Sequence, residues 1–405
     1  MKKEKCKSIE LQEARDLIIR AAPVLDGVEI GLAESLSRFP ASDLLAGEDL
    51  PGYDQSLRDG YAIAEPGKDP AFVIVDEVAA GDTRKLSLEP GQAVRIMTGG
   101  LVPARTDRVI PEEQCRVFGS NVCPVEGASA SGKRFIHGRG SELARGTVIV
   151  AKGREIRAEQ QILLAGVGYE SVAVVRRPRV SFFCTGSELL SGSGQSRAGK
   201  KFSANSHLLH GLIALNGAEV ANEQTVKDVP EEVDQILKAM QQSGADIIIS
   251  TGGMGPGKFD LVEAAFQRAG GRVLYDSLNM RPGKSTLFGT LGSVLFFGMP
   301  GPPPAVHLLF NELIRTAILA LQGAASCSPQ ELNAILTEDM AQFGSGGLPR
   351  LKSGLLSFDG GRCLVRAAAR MEAANCYIYC PGNGQSLTSG TLVRVHMTGS
   401  TQGCF

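Results

Sequence analysis

The stretch that most constrains the fold is Asp246-Ile-Ile-Ile-Ser-Thr-Gly-Gly-Met-Gly-Pro-Gly-Lys-Phe-Asp260, an apolar run that breaks into glycines. Ile247 to Ile249 are β-branched with no polar residue between them, which suits a strand buried on both faces of a parallel sheet. Gly252, Gly253, Gly255 and Gly257 let the backbone turn sharply and leave amide N–H groups free to face an oxyanion. Asp260 and Glu263 have the spacing of a helix capping box, ahead of Leu261, Ala264, Ala265 and Phe266 and a Gly270-Gly271 stop. The run therefore predicts a strand, an anion-binding loop and a helix, and the end of such a strand is where open α/β sheets take ligands. A tight turn with no ligand is the other reading of a glycine loop taken alone.

The flanking sequence carries the same alternation. Val180 to Cys184 reads as a strand ending in Thr185-Gly-Ser-Glu-Leu189. After a polar linker, Ser206 stands where it could cap a helix with Leu208, Leu209, Leu212 and Ile213 on one side, stopping at Asn216-Gly217. Val220 to Val226 reads as a strand, and Asp228-Val-Pro230 opens a helix with Val233, Ile236, Leu237 and Met240 at helical spacing. Val294 to Phe297 supplies another buried strand and Pro304 to Leu321 a long final helix. Strand and helix in alternation imply a parallel, doubly wound sheet.

Outside this unit the periodicity is different. Residues 8–22 place Leu11, Ala14, Ile18 and Ala21 on one helix face behind a Ser8 cap, with Glu13, Arg15, Asp16 and Arg20 on an opposite, solvated face. Short apolar runs (Phe72 to Val78, Ala93 to Met97, Arg108 to Ile110) alternate with Gly and Pro turns in the manner of a small all-β domain. Arg362 to Val365 and Cys376 to Tyr379 are again β-like. A chain of 405 residues exceeds one ordinary core. The expected division is an α+β domain from residues 1–48 and 138–176, a β domain inserted at 49–137, the α/β domain at 177–324 and a β domain at 325–405. The fold class is α/β multidomain, with a central doubly wound domain and small β-rich domains beside it.

With 42 basic residues against 43 acidic ones, no net field attracts nucleic acid or an anionic membrane, so any anion must be caught locally. The nine cysteines are scattered and form no Cys-x-x-Cys pair, as expected of reduced thiols in a cytoplasmic protein, and Cys376 and Cys380 read as interior packing. No uninterrupted apolar stretch approaches the ~20 residues of a membrane span. His207 and His210, one helical turn apart, suit a metal or an ordinary helix surface.

Acidic residues recur where the α/β strands end: Glu188, Asp228 and Asp260. Parallel strands end on one edge of the sheet, where three carboxylates could converge on a hard cation such as Mg²⁺. Asp228 and Asp260 could equally be helix caps, and Glu188 a surface residue. Asn279-Met-Arg-Pro-Gly-Lys284 adds a planar guanidinium, Arg281, and a point charge, Lys284, both suited to phosphate or molybdate. Asp54, Gln55 and Asp59 crowd a loop, and Thr98 stands beside Gly99 and Gly100 in a second turn.

Together these stretches resemble the molybdopterin molybdenumtransferase family, which includes the C-terminal part of gephyrin. The matching segments are Pro51-Gly-Tyr-Asp-Gln-Ser-Leu-Arg-Asp-Gly-Tyr-Ala62, Arg95-Ile-Met-Thr-Gly-Gly100, Thr185-Gly-Ser-Glu-Leu189, Ser250-Thr-Gly-Gly253 through Asp260, Arg281-Pro-Gly-Lys284 and Gly298-Met-Pro-Gly301. The resemblance implies an elongated homodimer whose site lies between the α/β domain of one subunit and the β domain of the other. It implies insertion of molybdate into adenylylated molybdopterin, with Mg²⁺ present and AMP released. Carried over by motif, Asp59, Glu188, Asp228 and Asp260 are catalytic, the last three also hold the metal, and Asp59 and Thr98 come from the partner. Thr98, Thr251, Gly252, Gly253, Gly255, Arg281, Lys284 and Pro300 bind the substrates. The spelling Gly252-Gly-Met-Gly-Pro-Gly257 is closer to the related single-domain molybdopterin adenylyltransferases. Transfer of AMP onto molybdopterin, and a non-catalytic molybdopterin-binding or scaffold protein, are therefore the alternative functions; an adenylyltransferase is also a possible partner.

Overall fold

The apolar run at Ile247 becomes a central strand, Ile247–Thr251, of a six-stranded sheet in a computed structural model of the protein. The structure describes residues 8–66, 69–126, 133–190, 198, 200–254, 261–340, 347–370, 372–384 and 386–398. Across the sheet the strands are Glu219–Val226, Arg179–Thr185, Ile247–Thr251, Val294–Met299, Leu287–Leu291 and Arg272–Tyr275. The first four run parallel, and Leu287–Leu291 is antiparallel to both of its neighbours. The last two strands were not foreseen, because short apolar runs broken by glycine carry little periodicity.

Alternation along each strand divides its side chains between two cores. Phe182, Ile247, Ile249 and Phe297 pack with Leu209 and Ile213 of the helix Ala204–Leu215 and with the last helical stretch, Pro303–Leu321. Phe183, Ile248 and Phe296 pack on the other face with Val233 and Leu237 of Pro230–Gln241 and Val262 and Phe266 of Leu261–Arg268. Helices cover both faces, so the sheet is doubly wound. Pro303–Leu321 has the length and apolarity to cross a membrane, yet most of it is buried inside the protein.

Between Gly60 and Pro124 a second six-stranded sheet forms, in the order Arg108–Pro111, Gly60–Ile63, Gln92–Ile96, Phe72–Val78, Asn121–Pro124, Cys115–Phe118. Glu331–Leu336, Arg350–Asp359, Arg362–Ala367, Cys376–Cys380 and Leu392–Met397 close a barrel, with Cys376 and Cys380 in its core as expected. Short pairings join Gly27–Gly31 to Ser171–Val175 and Leu44–Leu45 to Val148–Val150, around a core shared with the helix Ala158–Gly166. Among the described residues no disulfide joins the cysteines.

The N-terminal segment departs from its sequence reading. Ser8 is not a cap: Ser8–Ile9 pairs in parallel with Ser277–Leu278, and the Ser8 hydroxyl donates to Asn279 Oδ1 at 2.5 Å. The helix spans Leu11–Ala21, and its Ala14 and Ile18 join the α/β core. Arg15, expected in solvent, is only 2% exposed and ion-paired with Glu312, which lies in a π-helical turn of the last helix. Its guanidinium also lies 3.3 Å from Glu331 and 3.2 Å from His396 Nδ1, both on barrel strands. The amphipathic pattern of one helix carries no information about a barrel that docks on its polar face.

Candidate functional site

The site grows from the register of the parallel strands. Thr185 lies opposite Val226, Cys184 opposite Thr251, and Thr251 opposite Met299, so the chain leaves all four strands on one edge. Arg179–Thr185 connects to Glu219–Val226 on one side, and the chain then crosses to Ile247–Thr251 on the other. That reversal opens a crevice beyond the strand ends, where ligands bind in open α/β sheets.

Close backbone approach shapes this crevice. Gly252 has φ +90° and Gly253 φ +64°, a left-handed turn that other residues rarely adopt. A Cβ on Gly252 would stand 2.5 Å from the Thr185 carbonyl oxygen, so only glycine lets the two strand ends meet. The Gly252 amide donates to Met299 O at 3.0 Å, which sets the turn against the segment leading to Pro300 and Gly301. Met254 folds back into the hydrophobic core and lies against Gly298, where a Cβ would meet its sulfur at 2.8 Å. Gly255 and Asp260 lie outside the described residues.

Two of the expected acids lie on neighbouring loops. Asp228 is not a helix cap: Val229 holds the N-cap position of Pro230–Gln241, while the Asp228 carboxylate accepts the Ser187 amide at 3.2 Å. That bond ties the Asp228 loop to the Gly186-Ser-Glu188 turn, where Glu188 is exposed and the Lys200 ammonium donates to Ser187 O at 2.7 Å. Among the described residues no group of three or more His, Cys, Asp or Glu side chains is placed to hold a metal. Glu188 and Asp228 are hard oxygen donors on two loops that this bond joins.

The cations enter from the loop before Leu287–Leu291, a strand whose first residue lies opposite Gly298 at the same edge. The Arg281 amide donates to Pro349 O at 2.9 Å, anchoring the loop to the C-terminal barrel. Thr286 donates to Gly283 O at 2.7 Å and tightens the turn that carries Lys284. Arg281 and Lys284 are exposed, and among the described residues neither has a carboxylate partner.

Asp59 and Thr98 come together on the other six-stranded sheet. Asp59 Oδ1 accepts the Thr98 amide at 2.7 Å and the Thr98 hydroxyl at 2.8 Å. These bonds, the backbone one foremost, hold the Asp59 carboxyl below the usual carboxylate range. Asp59 is positioned by Gly60, whose missing Cβ makes room for the Ile110 carbonyl. Among the described residues no hydrogen bond or ion pair joins this pair to the edge of the α/β sheet.

Sequence reasoning passed over Asn205. Ser206, the expected cap, lies inside the helix and donates to Glu223, which also meets His210 at 2.6 Å; Ser203 holds the N-cap position. Asn205 instead reaches the sheet edge, donating to Gly301 O at 2.8 Å and to Thr251 Oγ1 at 3.3 Å. Asn205 stands immediately before Ser206, the residue expected as the cap, and the local sequence carries no signal of its reach to the sheet edge.

Residues 9–168 match the model of the MoeA N-terminal region (domain I and II), and residues 181–320 match that of a probable molybdopterin binding domain. A molybdopterin molybdenumtransferase from Staphylococcus epidermidis is 28% identical over 416 residues, covering 99% of this chain and 98% of the relative. One from Staphylococcus aureus is 28% identical over 415 residues, with 98% and 97% covered. Two solved structures of a molybdopterin biosynthesis MoeA protein from Pyrococcus horikoshii superpose with TM-scores of 0.81 and 0.75 at 22% and 23% identity. Each superposition covers 96% of this chain, and 99% and 100% of the other, so the shared fold spans nearly the whole molecule. With both family regions present in order and relatives aligned end to end, the chain belongs to the molybdopterin molybdenumtransferase family.

Proposed function

We propose that this protein acts in molybdenum cofactor biosynthesis as a transferase, inserting molybdate into adenylylated molybdopterin with release of AMP. One observation carries the reading: a glycine turn, two carboxylates and two cations without carboxylate partners among the described residues share the edge of a sheet belonging to the molybdopterin-binding region. Full-length relatives named as molybdopterin molybdenumtransferases support it.

In this reading the Gly252 turn and the Arg281 guanidinium bind the phosphates, while Lys284 neutralises oxyanion charge as the bond between the molybdopterin phosphate and AMP is cleaved. Glu188 and Asp228 would hold Mg²⁺, with Asp260 as the third donor expected from sequence. When bound, the cation would offset negative charge on the phosphate oxygens. Asp59, kept ionised by Thr98, would face the same ligands from the partner of a homodimer. A cytoplasmic location and supply of substrate by a molybdopterin adenylyltransferase belong to the same proposal.

The test is AMP release from adenylylated molybdopterin by the purified chain. Release that requires both molybdate and Mg²⁺ is expected, and a folded protein that yields none refutes the reading. Incubation with ATP and unmodified molybdopterin separates it from AMP transfer in the opposite direction.

A further inference from the structure

The loop that carries Arg281 and Lys284 is closed on itself and seated on the N-terminal strand. At its ends the Leu278 amide donates to Gly283 O at 3.1 Å and the Ser277 hydroxyl to Lys284 O at 3.2 Å. Ser277 and Leu278 also pair in parallel with Ser8 and Ile9, and the Asn279 amide extends that pairing by donating to Ile9 O at 2.8 Å. Past Asn279 the loop meets the barrel: the Arg281 amide donates to Pro349 O at 2.9 Å, and the Leu351 amide to Arg281 O at 3.4 Å.

Asn279 supplies the side-chain half of this seat. Its Oδ1 accepts the Ser8 hydroxyl at 2.5 Å, and its Nδ2 donates to Glu10 Oε1 at 2.8 Å. A carboxylate only accepts, so the Glu10 contact fixes which way the carboxamide is turned, and the Ser8 hydroxyl then meets its oxygen. Glu10 holds the N-cap position of the helix Leu11–Ala21, whose Ala14 and Ile18 are buried in the α/β core, so the anchor for the Asn279 side chain is itself fixed. Two residues further on, Arg281 presents an exposed guanidinium that has no carboxylate partner among the described residues to orient it. The backbone that carries this guanidinium is what restricts where it can reach.

We propose that Asn279 is a positioning residue for Arg281: by bonding both Ser8 and Glu10, its carboxamide holds the loop where the guanidinium reaches the substrate phosphates. The inference rests on the reading of Arg281 given above. Displacing a positioned group by about 1 Å can cost about a hundredfold in rate, so a loop that shifts by part of that distance loses activity with every group that touches the substrate still present.

The experiment is a double-mutant cycle on AMP release by the full chain. Asn279→Ala is expected to slow release about tenfold in the parent and less than about twofold in Arg281→Ala, because a residue that acts through Arg281 has nothing to position once the guanidinium is gone. Equal losses in the two backgrounds overturn the inference, as does no loss in the parent. Asn279→Asp should be at least as slow as the alanine variant, since it sets a second carboxylate against Glu10. Adding Glu10→Gln supplies a donor for that carboxylate and should restore release to within about threefold of the parent; a double variant as slow as Asn279→Asp overturns the inference. Hydrogen exchange gives a readout independent of turnover: amides of residues 277–284 should exchange at least about tenfold faster in Asn279→Ala, and unaltered exchange overturns the inference. A folded parent that releases no AMP refutes the functional reading instead, and exchange then decides the positioning by itself. Should the alanine variant fail to fold, Glu10→Ala, which removes one of the two side-chain bonds, takes its place in both measurements.

Discussion

Asp59 and Thr98 form a two-point clasp: the amide and the hydroxyl of Thr98, at 2.7 Å and 2.8 Å, converge on one carboxylate oxygen. Both bonds favour the charged form, so the folded pKa of Asp59 is depressed. The resulting stabilisation is present above the unfolded pKa and is lost as pH falls through the folded value. Thr98→Val removes the hydroxyl bond and keeps the backbone one. The Asp59 pKa should then rise toward the ordinary carboxylate value, and the acid limb of the AMP-release profile should move to higher pH. Carboxyl-carbon NMR titration reads the first shift directly. An unmoved Asp59 titration would show that the hydroxyl contributes nothing.

Gly60 should tolerate no side chain. A Cβ there would stand 2.0 Å from the Ile110 carbonyl oxygen, which is backbone within the sheet and cannot swing away. Gly60→Ala is expected to cost about 3 kcal/mol through overpacking. Urea unfolding measures it, and a cost below about 1 kcal/mol would mean that the two strands can separate locally.

Arg281 and Lys284 should differ in what replaces them. Arg281→Ala is expected to slow AMP release about a hundredfold, the scale of one lost charge-stabilising donor. Arg281→Lys should recover little, because a point charge lacks the planar fork that grips an oxyanion. Lys284→Arg should recover more. Steady-state kinetics with molybdate varied decides, and full activity in Arg281→Lys would remove the fork from the argument.

Removing half of the buried ion pair between Arg15 and Glu312 should harm folding more than removing both halves. Glu312→Gln leaves a guanidinium that is 2% exposed without its closest counter-charge, at a cost of about 3–5 kcal/mol. The double replacement Arg15→Met with Glu312→Leu should cost less, since it buries no unpaired charge. Thermal unfolding of the three proteins tests the order.

Local chemistry determined much of this protein. The β-branched Ile247 to Ile249, Gly252 and Gly253, and the strand and helix periodicity from Val180 to Leu321 are short-range signals, and the strands and helices they predict appear in the fold, the last helix with a π turn at Phe310–Ile314. The β-rich character of residues 72–110 and the interior positions of Cys376 and Cys380 were legible for the same reason.

What depended on contacts distant in sequence was not legible. Ser8 has the chemistry of a cap, but pairing with Ser277–Leu278, which lies far along the chain, takes it into a strand. Arg15 looks solvated on its own helix and is buried because Glu312, Glu331 and His396 arrive from the last helix and the barrel. Asp228 could have been a cap or a site residue, and the Ser187 amide, 41 residues away, draws it to the sheet edge. Asn205 gave almost no sign of its role, because the reach of a side chain to Gly301 exists only once two strands lie side by side. Sequence determines which backbone shapes each segment prefers. Which polar groups meet at the strand ends, and which are left without partners, is decided by register and packing between segments.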